Sequence, residues 1–216
     1  MNRVRITIDG REIRAEPGQM LLWAAEQAGI FIPQLCARES AHPAEASCRL
    51  CWVDLAGSLE PVLSCTVPVQ EGLVVSTRSP AVDRMLRSAF ELLLSRHRLH
   101  CKTCPANGAC ALQRIGVQRK IPLRLKRFPF LDPDWPIDES RPQLCLDPNR
   151  CVLCGQCVYV CNHEVGKGIL DFQQRGLETR VGTFDGEPLA SHDCDGCTRC
   201  AEVCPVGALY RREPAS

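Results

Sequence analysis

The sequence predicts an α+β chain of three small modules, each organised around a cysteine-rich metal centre and not around one large core. Three observations carry this. Sixteen of the 216 residues are cysteine, while aromatic residues make up only 5% of a chain that is 45% apolar. Thiols are abundant and the large rings that dominate packed cores are few, the balance of a protein that gains rigidity from metal. The spacing C-x2-C-x2-C-x3-C is written twice, as CVLCGQCVYVC from Cys151 and as CDGCTRCAEVC from Cys194. Ahead of it, alternation of period two and stretches of helical period follow one another, so neither element type dominates.

The first module opens on residues 4–15, VRITIDGREIRA, which alternate about Asp9-Gly10, the dipeptide of a tight two-residue hairpin. Pro17-Gly18 punctuates. From Met20 to Ala28, Leu21, Leu22, Ala24, Ala25 and Ala28 recur at helical spacing, and Gly29 is the stop. Cys36, Cys48, Cys51 and Cys65 follow with the spacing C-x11-C-x2-C-x13-C, and CTVPVQEGLVVST reads as a closing strand pair about Glu71-Gly72. A zinc site is the competing use of four such thiols.

The second module is a helix from Pro80 to Arg98, with Val82, Met85, Leu86, Ala89, Phe90, Leu93 and Leu94 on one face. Its end delivers His97 to the run H-x3-C-x2-C-x5-C, formed with Cys101, Cys104 and Cys110. A histidine near a helix end is ordinarily a surface or capping residue; three cysteines immediately beyond it favour a ligand, with His100 as the rival candidate. From Lys102 to Leu131 no residue is acidic, while Arg114, Arg119, Lys120, Arg124, Lys126 and Arg127 accumulate. This run reads either as a docking surface for an acidic partner or as a solvated face balanced by Asp132, Asp134, Asp138 and Glu139. Phe128, Phe130 and Trp135, set among Pro129, Pro133 and Pro136, suggest an extended strap.

In the repeated motif, three thiolates at three-residue steps wrap one iron-sulfur cube, while the fourth cysteine of each run reaches the other cube. Cys151, Cys154, Cys157 and Cys204 are thereby assigned to one [4Fe-4S] cluster, and Cys161, Cys194, Cys197 and Cys200 to a second. Structural zinc has no use for the third cysteine of each run, and disulfides require an oxidising compartment and neighbouring cysteines aimed apart, which a tight three-cysteine loop does not favour. Asn162 stands where a proline usually closes the first run, and Asn162 to Asp193 is an insertion between the two. Cys145 is left over, as a small buried residue or a spare thiol.

Other classes find little support. The formal net charge of +1 makes no electrostatic case for nucleic acid. MNRVRITIDG has no apolar leader core, and Met20 to Ile32 is too short to span a bilayer, so a cytoplasmic protein without direct membrane insertion is expected. There is no Gly-rich dinucleotide fingerprint or P-loop; Gly166-Lys167-Gly168 lacks a third glycine. No nucleophile and base are paired, and His42, His163 and His192 stand alone. Since clusters pass one electron at a time while nicotinamide and hydrogen react by two, such a chain belongs between catalytic partners.

The first four cysteines resemble those of plant-type [2Fe-2S] ferredoxins. Their lengthened first gap, with CRLCWVDL and LSCTVPVQEGLVV, resembles instead the N-terminal domain shared by the large iron-sulfur subunit of respiratory complex I, NAD-linked hydrogenases and NAD-linked formate dehydrogenases. Relatives there commonly carry a glycine before the second cysteine, where this chain has Ala46-Ser47. The run from His97 resembles the cluster held by one histidine and three cysteines in the same group, whose spacing favours His97 over His100. The order of motifs, in a chain that stops twelve residues past Cys204, resembles the small iron-sulfur diaphorase subunits of bidirectional NAD-reducing nickel-iron hydrogenases.

The resemblance implies a β-grasp [2Fe-2S] ferredoxin domain over residues 1–78 with Cys36, Cys48, Cys51 and Cys65 as ligands. It implies a short helical [4Fe-4S] domain over 79–119, a connector over 120–140, and a βαβ-like bacterial-type double [4Fe-4S] ferredoxin domain over 141–216. One [2Fe-2S] and three [4Fe-4S] clusters follow, with FMN and NAD on a partner subunit. The implied role is electron relay between a flavin- and NAD-binding diaphorase subunit and the hydrogenase small and large subunits, in hydrogen oxidation coupled to NAD reduction. An iron-sulfur subunit of an NAD-linked formate dehydrogenase is the nearest alternative; a zinc scaffold and a cluster-based sensor are more distant ones.

Overall fold

Val4–Ile8 (β1) and Arg11–Ala15 (β2) pair antiparallel, with Val4 opposite Ala15 and Ile6 opposite Ile13. Asp9 (φ 51°) and Gly10 (φ 79°) both take the left-handed conformation that a two-residue hairpin of this hand requires. Ile6, Ile8, Ile13 and Ala15 are buried while the alternate residues face outward, so the period of two is the period of the core face. Asp9 also accepts hydrogen bonds from the Thr77 backbone N–H and hydroxyl, both 2.7 Å, which tie the turn to the end of the sheet's central strand. The computed structural model describes residues 3–41, 43–132, 134–194 and 196–212; His42, Pro133 and Ser216 lie outside the described residues.

The helix Leu21–Gln27 (α1) buries Leu21, Leu22, Ala24 and Ala25, and the chain leaves it through Gly29 at φ 73°. Three further strands, Trp52–Leu55 (β3), Val62–Leu63 (β4) and Val74–Ser76 (β5), complete a sheet ordered β2-β1-β5-β3-β4. Only the β1/β5 pair is parallel. The expected strand pair about Glu71-Gly72 does not form. Ser64–Thr66 is a turn of 3₁₀ helix, Pro68 makes only an isolated bridge to Met20, and the Gly72 N–H bonds Arg5 O. The apolar run after Cys65 therefore crosses to β1 instead of folding back on itself.

The helix Pro80–Leu94 (α2) starts where expected, with the Ser79 hydroxyl accepting from Val82 N–H at 3.1 Å. Val82, Leu86, Phe90 and Leu94, spaced by four, are all fully buried, while Met85 is 40% exposed and off that stripe. The helix ends four residues short of Arg98. The Ser95 hydroxyl donates to Leu92 O at 2.7 Å, and His97 N–H closes a tighter turn on Leu94 O, so the histidine lies beyond the helix.

The molecule divides into two compact units, Met1–Phe90 and Glu91–Ser216, the boundary falling within α2. In the second unit Ala111–Arg119 (α3) is a helix that the sequence reading did not single out. It ends at Lys120 in the left-handed conformation, and a Cβ on Gly116 would stand 2.9 Å from Ile121 O, so the chain folds back closely there. The described residues of 121–137 carry no helix or strand. Leu131 N–H bonds Ser95 O, Asp132 and Asp134 pair with Arg98, and both backbone groups of Trp135 bond the Asn149 amide at 2.9 Å.

Beyond the strap, Asp138–Arg141 (β6), Leu144–Leu146 (β7) and Leu209–Arg211 (β10) form an antiparallel sheet ordered β10-β7-β6. Leu170–Gln173 (β8) and Arg180–Thr183 (β9) form a separate hairpin within the insertion. With the short helices Gln156–Tyr159 (α4) and Arg199–Glu202 (α5), the chain runs β7-α4-β8 and then β9-α5-β10. The outer strands pair with each other, as do the inner ones, so the repeat in the cysteine spacing is also a repeat in the fold. Among the described residues no helix is long and apolar enough to cross a membrane.

Candidate metal centres

In the first unit Cys36, Cys48, Cys51 and Cys65 are all buried, at 5% exposure or less. Cys36 follows α1, Cys48 and Cys51 bracket the turn into β3, and Cys65 sits in the 3₁₀ turn after β4. The Cys48 backbone N–H donates to Cys36 Sγ at 3.4 Å. Donation from the Cys48 thiol holds the Cys36 pKa down to about 5, and the same shared proton, with burial, drives Cys48 upward. Cys51, held to about 7 by the Cys65 thiol, and Cys65, driven up, repeat the arrangement. The charge of Cys36 is felt at Cys51 and Cys65, so the four thiols form one electrostatic group. Ala46 (φ 51°) and Arg49 (φ 54°) flank Cys48 in the left-handed conformation. The chain thus takes at Ala46 a backbone shape that glycine adopts more easily.

One further group lies in this site and escaped sequence reading. The Ser64 side chain is fully buried, and its hydroxyl makes no hydrogen bond of normal geometry to any described residue. It lies beside the Cys51 thiol, whose pKa it helps to lower.

In the second unit His97 is 5% exposed, whereas His100 is exposed. His97 Nδ1 stands 2.8 Å from Arg150 O; a carbonyl only accepts, so Nδ1 carries the proton and Nε2 keeps its lone pair. Burial, opposed by that bond, lowers the His97 pKa and keeps the ring neutral. Cys101 opens a 3₁₀ turn, Cys104 follows it, and Cys110 precedes α3. Burial raises the Cys110 pKa, and the neighbouring charges of Cys104 and Cys101 raise it further, which brings these three thiols into one group. The chain at Gly207 presses on this loop: a Cβ there would stand 2.8 Å from Ala106 Cβ and 3.3 Å from Cys104 Sγ.

Two small cavities occupy the double-motif region. Cys151, Cys154, Cys157 and Cys204 line one; Cys161, Cys194, Cys197 and Cys200 line the other. Cys157 and Cys161 stand one turn apart on a helix that passes from α4 into a π-helical turn over Val160–Glu164, and each faces a different cavity. Leu153 (φ 52°) and Gly196 (φ 66°), each two residues after the first cysteine of its run, are both left-handed, which curls both loops alike. Cys145, fully buried on β7, lines neither cavity.

These donors fit iron-sulfur clusters. Burial pushes Cys151 and Cys200 up to about 12 and Cys157 well above the usual thiol range, so these thiols ionise only where a cation offsets the loss of water. Backbone N–H groups already point at sulfur: Leu153 at Cys151 (3.3 Å), Ile169 at Cys161 (3.2 Å) and Leu209 at Cys204 (3.4 Å). Such donors stabilise anionic sulfur. Among the described residues no three candidate ligands converge tightly enough to hold a single metal ion; the thiols surround space instead.

Three family models match successive stretches of the chain. A 2Fe-2S iron-sulfur cluster binding domain matches residues 1–80, the NADH-ubiquinone oxidoreductase-G iron-sulfur binding region matches 87–121, and the ferredoxin-like domain of NADH-quinone oxidoreductase subunit 3 matches 142–210. The NADPH-Fe(3+) oxidoreductase subunit alpha of Geobacter sulfurreducens is 36% identical over 97% of this chain, which spans 24% of that relative. The mitochondrial NADH-ubiquinone oxidoreductase 78 kDa subunit of Neurospora crassa is 34% identical over 95% of this chain, across 27% of its own length. The chain thus spans about a quarter of these relatives. The gamma subunit of the NAD-reducing hydrogenase HoxS of Cupriavidus necator is 29% identical, with 97% of this chain and 87% of that one covered. A crystal structure of an NAD⁺-reducing [NiFe]-hydrogenase in the H2-reduced state contains a chain that superposes with a TM-score of 0.83 at 36% identity, covering 97% of this chain and 87% of its own.

Proposed function

Given that the chain belongs to the family of iron-sulfur subunits found in NAD-reducing hydrogenases and NADH-quinone oxidoreductases, we propose that it relays single electrons between a flavin- and NAD-binding subunit and a hydrogenase module. It carries 2Fe-2S and 4Fe-4S domains. In this reading Cys36, Cys48, Cys51 and Cys65 hold one [2Fe-2S] cluster. His97, Cys101, Cys104 and Cys110 hold a [4Fe-4S] cluster, and the two cavities of the double motif hold one each. The β-grasp module ends near residue 78, the histidine-ligated module near 119, and the double-cluster module begins near 141. FMN and NAD sit on the partner, hydrogen reacts on the hydrogenase small and large subunits, and the complex works in the cytoplasm.

The single observation that carries this is the lining of the two cavities, where the fourth cysteine of each run joins the three of the other. When bound, such clusters accept and release one electron without a change of bonding to substrate. The chain's own residues do the rest. Buried thiols exclude water, backbone N–H groups at Cys151, Cys161 and Cys204 favour charge on sulfur, and a neutral His97 offers Nε2 while Arg150 O orients its ring. Replacing one thiolate by imidazole leaves that site one charge less negative, which raises its potential relative to the all-cysteine sites.

Anaerobic purification with native partners tests the proposal. One two-iron and three four-iron clusters predict about 14 iron and 14 sulfide per chain, together with nickel in the complex. Molybdenum or tungsten in place of nickel would move the reading to a formate dehydrogenase, and zinc in place of iron and sulfide would end the electron-transfer account.

A further inference from the structure

We propose that the Ser64 hydroxyl donates a hydrogen bond to the sulfur of the two-iron centre held by Cys36, Cys48, Cys51 and Cys65, and thereby sets how readily that centre takes up an electron. The inference rests on the ligand reading given above. It begins from an unexplained group: Ser64 has no exposed surface, and its Oγ makes no hydrogen bond of normal geometry among the described residues, yet it lies close enough to the Cys51 thiol to favour that group's ionised form. A buried hydroxyl without an acceptor is unfavourable, and such groups in folded proteins usually answer to something else in the site.

The nearby carbonyls each already accept a hydrogen bond from another donor. The same 3₁₀ turn offers Leu63 O, which the Thr66 hydroxyl takes at 2.9 Å, and Cys51 O accepts the Ser64 backbone N–H at 2.9 Å. That backbone bond holds Ser64 beside Cys51, and Cys65 is its immediate neighbour in the chain. The sulfur it demonstrably acts on is that of Cys51. Alanine would fill the position without a stranded donor, so the hydroxyl acquires a purpose only when an anionic acceptor is present.

The sign of the effect follows from charge. Taking up one electron makes the centre more negative, no proton moves, and the hydroxyl keeps its hydrogen throughout. A donor to sulfur interacts more strongly with the reduced form and raises the potential.

The test is a redox titration of the holoprotein with its partners, read from the electron paramagnetic resonance of the reduced two-iron centre, for the parent chain, Ser64→Ala and Ser64→Thr. In Ser64→Ala the reduced-to-oxidised ratio at a fixed ambient potential should fall by about tenfold, the weight of one hydrogen bond to a charged group. Ser64→Thr, which keeps the hydroxyl, should stay close to the parent, and the four-iron centres should not move. An unchanged ratio in Ser64→Ala with full iron and sulfide overturns the proposal. Should that variant lose its two-iron centre, the parent protein carries the test: its reduced centre must display hyperfine coupling to an exchangeable hydroxyl proton, and absence of that coupling also overturns it. Absence of any two-iron signal in the parent would instead refute the ligand reading itself.

Discussion

Removal of the Asp147 carboxylate should destabilise the second unit more than any single change on its surface. Asp147 is 2% exposed, accepts from both the backbone N–H and the side-chain amide of Asn149 at 3.0 Å, and forms an ion pair with Arg150 at 3.0 Å. It caps the 3₁₀ turn Pro148–Arg150, which presents Arg150 O to His97 Nδ1 and then leads directly into Cys151. Asp147→Ala strands a mostly buried guanidinium and leaves two amide donors without their acceptor. Breaking a buried pair in this way costs about 3–5 kcal/mol. For a chain of this size that is a fall in melting temperature on the order of 10 °C. Asp147→Asn keeps an oxygen for the Asn149 N–H and should lose less. The assay is thermal bleaching of the visible absorption of the oxidised holoprotein, with the spectrum of the histidine-ligated centre recorded below the transition. A shift under about 2 °C in Asp147→Ala, or an undisturbed spectrum together with a large shift, would refute the argument that this carboxylate positions His97 through the turn.

Other expectations concern ligands and packing. Because burial holds His97 below its ordinary pKa, the unfolded chain takes up a proton near pH 6.5 that the folded chain refuses; stability is full above that pH and falls below it. Acid bleaching should therefore steepen below about pH 6.5 in the parent and flatten in His97→Cys, whose extra thiolate should also lower the potential of that centre. Cys154→Ser should cost about four of the 14 irons while leaving the two-iron resonance intact, and hydrogen-dependent NAD reduction that survives unchanged would contradict the relay. Phe90→Ala empties a fully buried position on the α2 stripe and should cost about 3–5 kcal/mol by chemical denaturation. Gly207→Ala combines φ +74° with a contact of 2.8 Å to Ala106 Cβ, and the added Ala106→Gly change should recover part of the lost stability.

What the sequence made legible was whatever depends on local rules. Asp9-Gly10 dictates its own hairpin, the spacing of Val82, Leu86, Phe90 and Leu94 dictates a buried stripe, and three-residue cysteine steps dictate a loop that curls about a cavity. Errors arose where a distant partner decides. The segment after Cys65 has the composition of a strand pair, but β1 offers it a parallel edge, and no local signal encodes that competition. The end of α2 turned on one hydroxyl, that of Ser95, capturing Leu92 O. Helix α3 was missed because nine residues that include Gly116 carry too short an apolar pattern. The basic run was ambiguous in sequence because its partners are distant: Arg127 pairs with Glu91 and Arg119 is buried, while Asp132 and Asp134 pair with Arg98. Ser64 and Asp147 were invisible for a different reason, since nothing in a serine or an aspartate announces burial.

The two units differ in what would remain of them without metal. In the first, Ile6, Ile8, Leu21, Leu22 and Val53 are buried on a sheet and a helix that owe nothing to cysteine. In the double-motif region candidate ligands are a substantial part of the core. Of the ten buried residues and six partly buried ones that pack together there, Cys151, Cys157, Cys161, Cys194, Cys200 and Cys204 are candidate donors. Thiols raised by burial repel one another's charge and cannot all ionise in a dry cavity unless iron enters, so cluster assembly and folding of this region are one free-energy change. Chelation under reducing conditions should consequently abolish amide protection in β7, β10, α4 and α5 while β1, β2 and α1 remain protected, as read by hydrogen exchange. Equal protection in the two regions after iron is removed would mean that leucine and valine contacts alone hold the second unit, and that the cysteines fill its core without being required for it.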